Sequence, residues 1–202
     1  MKLLQLDSSP LGSHSVTREL GAAVVAQWRS EQPGLSLSYR DLAADPLPHW
    51  TPLPAASVAD LAPDVRAEVE RNEAVLQEFL QADVIVIGAP MYNFGIPSQL
   101  KAWVDRIAVA GRTFRYTAEG PQGLAGGKQV IVVSGRGGFY AGTPRQSADF
   151  QESYLREVLG FLGITDIAFV RAEGIGFGSE QRSASLAAAH AQIAGGALPQ
   201  AA

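Results

Sequence analysis

Short apolar runs alternate along this chain with segments of helical period, and that alternation sets the expected architecture. Val84-Ile85-Val86-Ile87 is a β-branched run ended by Gly88 and Pro90, the pattern of a strand buried on both faces. Gln129 to Ser134 is a second such run, and Lys2 to Leu6 and Ile167 to Val170 are shorter ones. Leu35, Leu37 and Tyr39 instead alternate with Ser36 and Ser38, so that strand has one wet face and belongs at a sheet edge. Helical spacing joins Leu20, Val24, Val25 and Trp28, then Val65, Val69, Leu76, Phe79 and Leu80. It recurs in Leu100, Trp103, Val104 and Ile107, with a start at Pro97-Ser98 and a stop at Gly111. Phe150, Tyr154, Leu155, Val158, Leu159 and Leu162 form another face, closed by Gly163. An alanine-rich helix is expected from about Gln181 to Ile193.

Strands that alternate with helices imply a parallel sheet covered on both faces, a three-layer α/β fold. The expected form is one domain over residues 1–202, doubly wound, with five strands in the order 2-1-3-4-5. That order places the half-wet strand at the edge and puts strands one and three beside the switch point. The proline-rich stretch Asp41 to Pro63 reads as a surface excursion with a short helix near Ser57. Arg112 to Lys128 reads as irregular, and Gly195 to Ala202 as a frayed end.

Composition narrows the function classes. With 47% hydrophobic and 18% charged residues the chain is expected to be globular rather than disordered. A net charge of −4 and the lack of any basic run argue against a nucleic-acid partner. The absence of cysteine excludes disulfides, thiolate catalysis and Cys-zinc sites. Met1-Lys2 leads straight into a strand-like segment, and no apolar stretch is long enough for a bilayer, so no membrane partner and a cytoplasmic location are expected.

Three loops carry the candidate chemistry. Asp7 to Thr17 is dense in hydroxyls and lies between a strand and a helix N-terminus, where free N–H groups and the helix dipole favour a phosphate. Against this stands the simpler reading that Ser13 or Ser15 only caps the helix. Met91 to Phe94 offers apolar surface and the Asn93 amide, which suits a flat heteroaromatic ring with polar edges. Gly135 to Gly138 lets backbone approach a ligand, and Arg136 adds a donor. Core packing and tight turns would account for each of these two loops singly; their convergence at strand ends favours one site.

Other motifs fail. Gly126-Gly127-Lys128 precedes a strand, whereas a P-loop lysine follows one. No G-x-G-x-x-G follows the first strand, and Gly174, Gly176 and Gly178 read as turn glycines. His14, His49 and His190 are scattered, with no metal-ligand or G-x-S-x-G pattern, so no metal is expected.

Ala89-Pro90-Met91-Tyr92-Asn93-Phe94, followed by Pro97-Ser98-Gln99-Leu100-Lys101, resembles the signature of FMN-dependent NADH azoreductases, flavodoxin-like enzymes akin to NAD(P)H:quinone oxidoreductases. Arg40-Asp41-Leu42, Thr113-Phe114-Arg115-Tyr116, Arg136-Gly137-Gly138, Phe161-Leu162-Gly163 and Ala172-Glu173-Gly174-Ile175 resemble family segments in family order, so the likeness spans nearly the whole chain. It implies a flavodoxin-like fold, FMN as cofactor and NADH or NADPH as electron donor. It also implies a quinone or azo acceptor reduced by two electrons in a ping-pong sequence, and a homodimer whose subunits both border each flavin. Trp103, Phe114, Tyr116, Phe139 and Tyr140 are more aromatic residues near the loops than one core needs, which fits a partner surface.

By the same resemblance Ser9, Ser15, Val16 and Thr17 hold the phosphate region. Met91, Tyr92, Asn93 and Phe94 border the ring, and Gly135, Arg136, Gly137 and Gly138 line its other edge. No protein residue is expected to act as catalytic acid, because the flavin carries the chemistry. Backbone N–H groups near Asn93 and Gly137 suit negative charge on the reduced ring. Gly135 departs from relatives that carry Ser there, and Gly95 and the loop near residues 46–54 vary among them. Two other readings stay open: a flavodoxin-like electron carrier that turns over no small molecule, and a flavin-free regulatory domain, which would leave the hydroxyl-rich loop unexplained.

Overall fold

The computed structural model describes residues 1–52 and 61–195. Its main sheet has five parallel strands, β1 (Lys2–Asp7), β2 (Ser36–Asp41), β3 (Val84–Pro90), β6 (Gln129–Gly135) and β7 (Asp166–Ala172), in the order β2-β1-β3-β6-β7. The expected doubly wound topology is therefore observed, and the half-wet strand is at the edge. The helices are α1 (Val16–Glu31), α2 (Pro63–Gln81), α3 (Ser98–Ile107), α4 (Phe150–Phe161) and α5 (Ser179–Ala194).

The pleat sends alternate residues of each inner strand to opposite faces, so a continuous apolar run feeds two cores at once. Ile85 and Ile87 of β3, with Val130 and Val132 of β6, pack with Phe79, Trp103 and Leu155 beneath α2, α3 and α4. Val84 and Val86, with Ile131 and Val133, pack with Leu20, Trp28 and Ile193 beneath α1 and α5. Trp103 is fully buried, edge-on to Phe79 at 5.9 Å. In register, Asp7 lies opposite Gly88 and Pro90 opposite Gly135, so the loops after β1, β3 and β6 leave the sheet on the same side.

Three expectations need correction. Arg112 to Lys128 is not irregular throughout: β4 (Phe114–Thr117) and β5 (Gly120–Gly123) pair antiparallel. Gly120-Pro121-Gln122-Gly123 carries no strand-like composition, and the hairpin is held from outside. Phe114 packs on Phe161 at 4.6 Å, and Gly123 lies so close to Gly163 that a Cβ would not fit. The α4 face also differs. Phe150 points outward, while Gln151 and Glu152 are buried for a reason given below. Finally, α3 stops at Ile107 rather than near Gly111, which takes a left-handed turn into β4.

The excursion after β2 is anchored by Leu42 and Leu47, both buried. The short helix expected near Ser57, and all but Gly195 of the frayed end, lie outside the described residues. Among the described residues no helix is long and apolar enough to cross a membrane, and no cluster of possible metal ligands occurs.

Candidate functional site

The loop after β1 is fixed before any ligand is considered. Ser15 is the N-cap of α1: its Oγ accepts from the Arg18 N–H at 3.3 Å and lies 3.1 Å from Thr17 Oγ1. The capping role is thus real, and it uses one acceptor site of the Ser15 hydroxyl; of the Ser15–Thr17 pair, whichever hydroxyl accepts keeps its proton for another partner. The N–H groups of Val16 and Thr17 face out of the first helical turn, where no intrahelical acceptor exists, and neither finds one among the described residues. Ser9, Ser15 and Thr17 are all nearly fully buried.

The loop after β3 is a tight turn. Tyr92 and Gly95 exchange two backbone hydrogen bonds at 3.0 Å, with Asn93 and Phe94 at φ values of 49° and 71°. Asn tolerates that region, whereas Phe is strained in it, and such strain concentrates at functional loops. The loop after β6 is flanked by the Glu173 to Gly178 turn. Ile175 N–H donates to Arg136 O and Gly176 N–H to Gly137 O. Gly174 and Gly176 are turn glycines as expected, because a Cβ on either would meet Phe139 or the Gly137 carbonyl.

These loops enclose a cavity of about 230 Å³. Ser9, Ser15, Val16, Thr17, Met91, Tyr92, Gly135 and Gly137 all line it, so eight of the residues singled out from sequence are brought together. Its lining combines hydroxyls and free N–H groups of the first loop with the apolar side chains of Pro90, Met91, Val16 and Ile175. The Gly137 N–H has no acceptor among the described residues. Such a cavity suits a ligand with an anionic end and a flat apolar end, and FMN is of that kind. Asn93, Phe94 and Gly138 lie outside this lining; Phe94 is at the rim, half exposed and edge-on to Tyr140 at 6.5 Å.

Arg136 requires a correction. Its guanidinium is fully buried and turned away from the cavity into a carboxylate cluster. It pairs with Asp149 and Glu173 at 2.9 Å each and with Glu152, and bonds Gln151 at 3.1 Å. This explains the buried Gln151 and Glu152 on α4, and it commits the Arg136 charge to these carboxylates, so the side-chain donor expected at the ring edge does not face the cavity. Arg182 is the residue missed. It reaches the cavity from α5 and donates to His14 O at 3.1 Å. No local motif marks it, since it is brought to the first loop only by packing of α5 beside α1.

Asp7, at the end of β1, accepts from the Tyr39 hydroxyl at 2.8 Å, while its Oδ1 has no partner among the described residues. Burial pushes its carboxyl upward, against the Tyr39 hydrogen bond and the Arg18 charge, which pull it down. Burial and the same carboxylate push the Tyr39 hydroxyl up to about 12. Arg18 holds Asp41 well below the usual carboxylate range.

A larger cavity, about 440 Å³, lies between α2 and the end of α3. It contains Arg106 and Arg112, but each is already paired, with Glu68 and Glu73 respectively, and no hydroxyl cluster faces it.

Of the aromatic residues expected at a partner surface, Trp103 and Tyr140 are buried and Phe114 packs against the core. Tyr116 and Phe139 are exposed, and Phe150 and Phe177 join them. Phe139 stacks on Phe177 at 5.6 Å.

A doubly wound sheet with a phosphate-sized hydroxyl cradle at its switch point defines a nucleotide-binding α/β protein. The chain belongs to the family described as having a flavodoxin-like fold, whose model matches residues 1–195. It is 63% identical over 193 residues to a protein of Xanthomonas euvesicatoria named FMN-dependent NADH:quinone oxidoreductase 1, covering 96% of this chain and 95% of that one. It is 56% identical over 201 residues to FMN-dependent NADH:quinone oxidoreductase 2 of Pseudomonas aeruginosa, covering 96% and 98%. Among solved structures, an FMN-dependent NADH-azoreductase from Bacillus anthracis in complex with FMN superposes with a TM-score of 0.84 at 26% identity, covering 96% of this chain and 97% of that one.

Proposed function

We propose that this protein is an FMN-dependent oxidoreductase that uses NADH to reduce quinones, with azo compounds as a second class of acceptor. The observation that carries the reading is the mixed lining of the cavity, where buried hydroxyls and free N–H groups of the first loop meet apolar surface from the loop after β3. The names of its full-length relatives agree with it and favour NADH as donor.

Bound FMN would supply the redox chemistry, by which a hydride equivalent (two electrons and one proton) passes from NADH to the acceptor and the second proton of the hydroquinone comes from water. The protein's part is binding, orientation and exclusion of water. Ser9, Ser15 and Thr17 hydroxyls, with the Val16 and Thr17 N–H groups, hold the phosphate. Met91 and Tyr92 border the ring, and Asn93 and Phe94 stand at its rim. Gly135 and Gly137 would leave room for the other edge, where the Gly137 N–H, without an acceptor among the described residues, would receive negative charge. Donor and acceptor use the same apolar face in turn, which makes the kinetics ping-pong. A C2 homodimer covers the exposed Tyr116, Phe139, Phe150 and Phe177.

The test is anaerobic. FMN-loaded protein should lose its visible flavin absorbance on addition of NADH and regain it on addition of a benzoquinone, with parallel double-reciprocal plots in steady state. If NADH leaves the spectrum unchanged, the protein is an electron carrier and the enzyme reading is lost. Light scattering at assay concentration should give twice the chain mass.

A further inference from the structure

Two arginines flank the first loop, and only one is available to an anion. Arg18 donates to the Ser9 carbonyl at 2.9 and 3.2 Å and to both oxygens of Asp41 at 2.6 and 2.7 Å. It also stands 3.5 Å from Asp7. Its charge is therefore matched by two carboxylates and its donors are occupied. Arg182, in the first turn of α5, lines the cavity together with Ser9, Ser15 and Thr17. Its side chain's one described hydrogen bond runs to the His14 carbonyl, a neutral group, and no carboxylate among the described residues lies within ion-pair distance of it. A guanidinium has five N–H donors, so one bond to His14 leaves most of them unused.

Apart from His14, the rest of the cavity lining carries no cationic side chain. A phosphate monoester carries about −1.5 to −2 charges at pH 7, and the chain's net charge of −4 opposes its approach. Asp7 to Thr17 holds no Lys or Arg. An unmatched arginine at the mouth of a hydroxyl cradle is the complement of such a group, because its planar fork suits phosphate oxygens.

We infer that Arg182 is the cation that recognises the FMN phosphate, delivered to the first loop from α5 and held over it by the His14 carbonyl. Arg182 is thus a specificity-determining residue, separating FMN from riboflavin. The inference rests on the FMN reading above.

The experiment titrates flavin-free full-length protein with FMN and with riboflavin, following quenching of flavin fluorescence, at low and high salt. Wild type should prefer FMN, and the preference should shrink with salt. Arg182→Ala and Arg182→Gln should each weaken FMN by about 10- to 100-fold, the range of one hydrogen bond to a charged group. Riboflavin should change by less than about threefold, within the scatter of such contacts. Arg182→Lys should recover part of the loss. Circular dichroism melts of the same variants report folding separately. Equal losses for both flavins, or no loss for either, would mean that Arg182 only pins the His14 carbonyl, and would overturn the inference while leaving the FMN reading intact. Wild-type protein that binds neither flavin would overturn both.

Discussion

The Cγ2 methyl of Thr17 stands 2.9 Å from the point where a Cβ on Gly135 would lie, so the two residues share one space at the floor of the cavity. Thr17 supplies a physical reason for glycine at position 135. Its methyl occupies the room the missing side chain would need. Gly135→Ser should therefore overpack the site at a cost of about 1–3 kcal/mol, seen as weaker FMN binding and a lower melting temperature. Thr17→Ser removes the methyl and keeps the hydroxyl, so the double variant should recover most of the loss. Additive effects of the two substitutions would show that the residues do not compete for space.

Arg136 illustrates the difference between a residue near a ligand loop and one that serves a ligand. It is the cation among Asp149, Glu152 and Glu173, although Arg171 also bonds Glu152, at 2.7 Å. Removing one partner from a buried ionic cluster leaves the others uncompensated, so Arg136→Met should cost about 3–5 kcal/mol in urea unfolding. Flavin affinity of the folded fraction should change little. A stable variant with selectively weakened flavin binding would return Arg136 to the site.

The parts of this molecule that were legible in the sequence are those whose environment is written in local pattern. Val84 to Ile87 and Val130 to Val133 are apolar at every position because both sheet faces are covered, and that alone implied parallel strands and helical layers. Ser15 was readable both as a cap and as a ligand group because the same hydroxyl serves an N–H and lines the cavity. What was hidden depends on distant partners. Gln151 and Glu152 look solvated until Arg136 is placed opposite them. Arg182 looks like an ordinary helix-surface residue until α5 is packed against α1. The β5 strand has the composition of a turn and exists because Phe114 and Gly123 of its hairpin are held by Phe161 and Gly163 on the α4 side.

Asp7 gives a dependence on pH whose sign follows from its burial. Because desolvation outweighs the Tyr39 and Arg18 contacts, the folded chain holds the Asp7 proton more readily than the unfolded chain does. A group raised in this way contributes stability below its unfolded pKa, about 3.9, and loses it as pH rises through the folded value. Asp7→Asn imitates the neutral form. The variant should melt higher than wild type at pH 8, and the gap should narrow as pH falls toward 4, where wild type becomes protonated. Melting curves of both proteins at the two pH values test this. A gap that widens on acidification would mean that the Arg18 charge, and not burial, governs Asp7.

Ser15 has two roles that one substitution can separate. Its Oγ caps α1 through the Arg18 N–H and also faces the cavity beside Thr17. Ser15→Ala would remove both functions at once, costing about 1 kcal/mol of stability through the cap alone, and so could not tell them apart. Ser15→Asp can. Aspartate caps a helix as well as serine does, and a negative charge at the first turn is favourable to the helix dipole. Desolvation of the new carboxylate at this buried position opposes that gain, so thermal melts of the variant are run beside the flavin titrations to report the fold separately. The same carboxylate would face the FMN phosphate across the cavity, where two anions with little water between them repel strongly. FMN affinity should fall by at least about a hundredfold, about 2.8 kcal/mol at tenfold per 1.4 kcal/mol, while riboflavin, lacking the phosphate, should lose far less. Raising the salt concentration should restore part of the FMN affinity but leave riboflavin unmoved. If Ser15→Asp binds FMN as wild type does, the hydroxyl of Ser15 is a helix cap and nothing more, and the phosphate must be held elsewhere in the cavity.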